Sequence, residues 1–65
     1  MKDLRRRHLA RIHLLSKELG LSDAAYRNVL AALTGERTAK NLNETGRLRV
    51  IGVLARSASE RRITA

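Results

Sequence analysis

Arg5, Arg6, Arg7, Arg11 and Lys17 crowd one short stretch of the chain, and the chemistry open to that set is recognition of phosphate or carboxylate. An Arg fork holds either group through two parallel N–H bonds, and Arg outnumbers Lys by 11 to 3. A surface that needs only solubility is served by Lys, so the bias favours an anionic partner over a solvated charge run. The cluster opens a predicted helix, where the dipole disfavours cations by about 0.3–1 kcal/mol each. A run that works against local stability is a candidate for function. Arg49 and Arg56 share one face of a later predicted helix and are candidates to reach a groove of DNA.

The remaining reactive side chains assemble no second chemistry. His8 and His13 stand about 140° apart on a helix, so they cannot share a metal as an i, i+4 pair can. His8 falls in an apolar stripe and reads as a packed core or edge residue. His13 reads as a surface or interhelix hydrogen-bonding residue. Tyr26, the only aromatic residue, reads as the largest core side chain with its hydroxyl at the rim, the alternative being a phosphate contact. No nucleophile–base pairing, paired carboxylate or Gly-rich loop is present, and Thr34-Gly35-Glu36 lacks the Walker spacing. With no Cys and two His, the chain offers neither disulfides nor a structural zinc site. It reads as non-enzymatic, with no cofactor and no metal.

Three helices must position these side chains. The first is predicted over about Asp3 to Leu19, with Asp3 as N-cap and Gly20 just beyond its end. Leu4, His8, Ile12, Leu15 and Leu19 fall within one quarter of its circumference at about 100° per residue. Leu9 widens that stripe, and Arg6, Arg7, Arg11, His13 and Lys17 lie on the far half. Ser22 caps a second helix carrying Tyr26, Val29, Leu30 and Leu33, which Gly35 ends. The link between the two is short, which predicts a side-by-side helical hairpin. Thr38 to Leu42 is expected to form one capped turn with Leu42 pinned into the core. Asn43 then caps a third helix, roughly Glu44 to Ser59. Its apolar face carries Val50, Ile51, Leu54, Ala55 and Ala58, with Leu48 at the edge, and Gly46 and Gly52 weaken it by about 1 kcal/mol each. The span from Gly35 to Asn43 is too long for a tight helix-turn-helix, which leaves a looser tri-helical variant.

The expected architecture is therefore all-α: one small three-helix domain spanning 1–65, with a short extra turn before the third helix. About 3–58 should be ordered and 59–65 a frayed tail. The expected core is Leu4, Leu9, Ile12, Leu15, Leu19, Tyr26, Val29, Leu30, Leu33, Leu42, Leu48, Ile51 and Leu54.

Composition bounds the partners. Sixty-five residues bury only about 60% of the unfolded surface, so stability rests on helix packing or self-association, including a homodimer. The formal charge, 14 cations less 6 acids, is +8, which points to nucleic acid. One aromatic gives little support for stacking on single-stranded bases. The apolar runs are too short for a membrane span or a signal peptide, which predicts a cytoplasmic chain with no membrane partner.

Ile12-His13, Lys17-Glu18-Leu19-Gly20-Leu21, Asp23 and Tyr26-Arg27, followed by Leu30, Leu33-Thr34-Gly35 and Thr38-Ala39-Lys40-Asn41-Leu42, form an ordered set. That set resembles the N-terminal region of the GemA family, regulatory proteins of Mu-like phages and prophages, over roughly residues 5 to 55. The resemblance implies an early phage or prophage protein that modulates host gene expression and DNA topology, with links to host gyrase and replication. It supplies no active site. Two departures make this chain more basic than the family pattern: Asn41 stands where members carry Asp, and Gly46-Arg47-Leu48 replaces an acidic Glu-Leu opening of the third helix. Members are typically longer, which implies a domain of a larger protein or a short relative acting alone or as a dimer.

Two functional readings emerge. In one, Arg5, Arg6, Arg7, Arg11 and Lys17 contact DNA phosphates while Arg49 and Arg56 reach a groove. In the other, the same cations capture an acidic surface of a host factor such as gyrase or polymerase.

Overall fold

Residues Lys2–Glu18 form the first helix, α1, with no Gly or Pro to interrupt the repeat of Ile12, Leu15 and Leu19. The computed structural model describes the backbone of residues 2–64 and the side chains of residues 3–61. Asp3, expected as the N-cap, lies inside the first turn because the helix already includes Lys2; its carboxylate still meets the positive end of the dipole. At the other end Gly20 adopts φ +70°, the left-handed region. This lets the Leu21 N–H reach the Ser16 carbonyl and the Gly20 N–H reach the Lys17 carbonyl, both at 3.0 Å. That double bond pattern closes the helix and turns Leu21 back against the core.

Ser22 is extended, and its Oγ accepts the Ala25 N–H at 3.1 Å, starting α2 (Asp23–Thr34) as expected. Gly35, at φ +81°, and the Thr34 hydroxyl end α2 together: Thr34 Oγ1 donates to the Leu30 carbonyl at 2.7 Å and accepts the Glu36 N–H at 3.1 Å. A single 3-10 turn, Ala39–Asn41, follows. Thr38 provides no side-chain cap there; the turn is held by burial of Ala39 and Leu42 on either side. Asn43 Oδ1 accepts the Gly46 N–H at 2.8 Å and begins α3 (Glu44–Thr64). This helix runs past the end expected at Ser59. Nothing after Gly52 breaks it, Ala58 is buried, and the Arg61 guanidinium donates to the Leu19 carbonyl, just beyond α1, at 2.7 Å. Of the expected tail, Ala65 and the side chains of Arg62, Ile63 and Thr64 lie outside the described residues.

The core gathers Ile12 and Leu15 from α1, Leu30 from α2, Ala39 and Leu42 from the turn, and Val50, Leu54 and Ala58 from α3. Leu9, Leu19, Tyr26, Val29, Leu33 and Ile51 pack around it half-buried. The expected hairpin is not the main contact. The broadest interface is α1 on α3, and α1 and α2 meet more thinly than either meets α3. The reason is length and patterning: α3 has 21 residues and, among the described side chains, buries three apolar ones, whereas α2 has 12 and buries only Leu30.

Leu4 and Leu48, both expected in the core, are 45% and 51% exposed. The buried stripe of α3 is set by positions 47, 50, 54 and 58, and Leu48 stands about 100° off it. One turn along α1 from Leu4, His8 meets a polar partner on α3. Arg47, only 9% exposed, donates from Nε to His8 Nδ1 at 3.2 Å and from Nη1 to the Leu42 carbonyl at 2.9 Å. Its aliphatic stem is packed and its charged head is met by acceptors rather than by a carboxylate.

Candidate nucleic-acid interface

Arg5, Arg6, Arg7, Arg11, Lys17, Arg49 and Arg56 are all exposed. None is held by a carboxylate of the described residues; Asp23 Oδ2 pairs instead with Arg27 Nε at 3.0 Å. Two of the seven bond to backbone instead: Arg5 Nη2 donates to the Lys40 carbonyl at 3.1 Å, and Arg49 Nη1 to the Leu33 carbonyl at 3.3 Å. Carbonyl contacts orient a guanidinium without neutralising it, so the positive potential of the surface survives folding.

Consecutive residues point about 100° apart on a helix, so Arg5, Arg6 and Arg7 fan out in three directions. Arg7 and Arg11 share one flank of α1. Arg6, His13 and Lys17 share another, which faces the α2 side, because His13 lies against Tyr26 with ring centroids 5.9 Å apart and planes tilted by 35°. Arg5 leans onto the 3-10 turn.

That second flank is where the fold gathers cations from separate elements. A cleft of about 210 Å³ lies between α1, α2 and the turn, lined by His13, Tyr26, Arg27, Arg37, Thr38 and Lys40 among others. A neighbouring depression of about 310 Å³ adds Lys17 and shares His13 and Tyr26. Arg5 does not line the cleft but donates to the Lys40 carbonyl of the same turn. Arg49 and Arg56 do not join this group: they line a separate shallow groove on α3, about 330 Å³, with Gly52, Val53 and Glu60. The seven residues named from the sequence therefore do not share one surface: Arg7 and Arg11 hold one flank of α1, Arg6 and Lys17 another, Arg5 the side of the 3-10 turn, and Arg49 and Arg56 a groove on α3.

Arg37 and Lys40 escape the sequence reading. They sit where helical periodicity lapses, and spacing carries no information there about which helix a side chain will face. His8 and His13 take the places expected of them, a half-buried edge residue and an exposed one. Tyr26 does so in part. Its ring packs on the core, but its hydroxyl is shielded rather than at the rim and has no hydrogen-bond partner. Burial pushes the phenol pKa up, Arg27 pulls it down, and Asp23 adds a smaller upward push.

Among the described residues no group of three or more His, Cys, Asp or Glu could hold a metal ion, and no helix is long and apolar enough to cross a membrane. No family model, curated protein or solved structure matches the chain.

Proposed function

We propose that this protein is a non-enzymatic DNA-binding regulator of the kind found in Mu-like phages and prophages, acting in the cytoplasm on gene expression or DNA topology. The observation that carries the reading is the set of seven exposed cations with no carboxylate partner among the described residues. Arg5, Arg6, Arg7, Arg11 and Lys17 bind phosphates and set the position of the domain, and Arg49 and Arg56 meet the duplex from α3. The longest extent of the molecule, 36 Å, is about one helical turn of B-DNA, so a monomer covers about that length of duplex. The resemblance to the GemA family supports the regulatory part of this reading.

The test is a titration of random-sequence duplex at several salt concentrations. Five phosphate contacts give a slope of log K on log salt near −4.5, or roughly a 500-fold loss of affinity between 50 and 200 mM. A salt-insensitive affinity, or no binding at 50 mM, refutes the proposal.

A second reading, a module for an acidic surface on a host factor such as gyrase or polymerase, draws on Leu14. This side chain is 66% exposed on the outer side of α1, one helical turn from both Arg11 and Lys17. An apolar centre rimmed by cations suits a protein partner better than a phosphate backbone. Purified factor should then bind the chain after nuclease treatment, and Leu14→Gln should weaken that complex while leaving duplex affinity unchanged.

A further inference from the structure

We infer that the cleft between α1, α2 and the 3-10 turn is an oxyanion site that takes a single phosphate group, with Arg37, Lys40 and His13 as its principal donors. The inference extends the DNA-binding reading where the phosphate belongs to a duplex, and stands apart from it where the phosphate is free.

Charge comes first. Asp23 also lines the cleft and is paired with Arg27 at 3.0 Å, whereas Arg37 and Lys40 form no salt bridge among the described residues and leave the lining with net positive charge. Arg5 bonds to the Lys40 carbonyl at 3.1 Å and so adds positive charge beside the same turn without lining the cleft. Like charges gathered at one cleft repel one another, and a bound dianion converts that repulsion into attraction. Donor chemistry comes second. Lys40 supplies an ammonium, Arg37 a fork, and His13 a ring N–H. The Thr38 hydroxyl also lines the cleft and is not used as a helix cap. The donors come from α1 and from the connection before α3, so only the folded chain unites them. Size comes third: about 210 Å³, open to solvent, is room for one phosphate group.

The experiment uses the full chain and two probes. Inorganic phosphate is titrated at constant ionic strength while amide and His ring resonances are followed, and random duplex is titrated in parallel. Phosphate should shift the signals of His13, Thr38 and Lys40 saturably. Arg37→Ala/Lys40→Ala should weaken that binding at least tenfold with Tm unchanged, since both side chains are exposed. If the site holds a duplex phosphate, the double variant should also lower the salt slope by about 0.9. Saturable phosphate binding with an unchanged slope assigns the site to a free phosphate and leaves the inference standing. Saturable phosphate binding by a chain that ignores duplex refutes the DNA reading alone. Shifts that never saturate, or that persist in the double variant, overturn the inference, whatever the duplex titration shows.

Discussion

Gly52 lies in the interior of α3, exposed, and a methyl group added there would meet nothing within 4 Å. Gly in a helix interior is less favourable than Ala by about 0.8–1.0 kcal/mol. With no steric term to set against it, Gly52→Ala should stabilise the fold by that amount, raising Tm by about 4–8 °C for a domain of this size. Gly46 is the internal control. An added Cβ there would stand 3.3 Å from Asn43 Oδ1, the atom that accepts the Gly46 N–H at 2.8 Å, and 3.4 Å from Leu42 Cδ2. The propensity gain is then offset by disturbance of a cap worth about 0.5–2 kcal/mol, so Gly46→Ala should leave Tm unchanged or lower it. Circular dichroism melts at two protein concentrations provide the assay. A fall in Tm for Gly52→Ala, or equal gains for both variants, would refute the reasoning by showing that the outer face of α3 is covered or that the α3 cap does not matter. The same variant locates the ligand. A duplex affinity that drops about tenfold in this more stable protein puts Gly52, Arg49 and Arg56 against the DNA, whereas an unchanged affinity confines the contact to α1 and the cleft.

Arg47→Ala should destabilise by about 2–3 kcal/mol, because it strips the donor from the Leu42 carbonyl and from His8; urea midpoints check this, and a value near wild type would mean those bonds contribute nothing net. Leu30, with 0% exposure, should cost about 2–5 kcal/mol as Leu30→Ala, enough to unfold much of a small domain, whereas Leu48→Gln should stay within about 0.5 kcal/mol in the same assay. The alkaline limb of stability should depend on Tyr26. Its folded pKa is raised, so the neutral phenol is favoured by folding; that contribution is complete below the ordinary value near 10 and is lost as pH rises from there through the folded value. Urea unfolding between pH 8 and 11 should show a decline that Tyr26→Phe removes.

Helix existence and most helix ends were legible because their signals are local. Ser22 caps three residues ahead, Asn43 does the same at Gly46, and Gly20 and Gly35 take the left-handed conformation that ends α1 and α2. The failures share a different cause. Leu4 and Leu48 satisfy the apolar period yet face solvent, because a period says which side of a helix is apolar and not how far the neighbouring helix extends along it. The α1–α2 hairpin lost to the α1–α3 interface because sequence adjacency is a weak guide when a longer helix offers more buried surface. Ser59 was not an end of α3, since Ala58 is buried and Arg61 is held by the Leu19 carbonyl, contacts that only the folded chain makes.

The sequence alone determined the class of surface: cations in excess of acids by eight make a positive molecule in any fold, because Arg remains charged wherever it is placed in water. Tertiary structure decided which of those charges act together. Arg47 was withdrawn into the interior by His8 and the Leu42 carbonyl, while Arg37 and Lys40, undistinguished in the chain, were brought beside Arg5 and His13. Coulomb forces and hydrogen bonds depend on distances of a few ångströms, and between residues more than twenty positions apart in sequence only the packing of helices sets those distances.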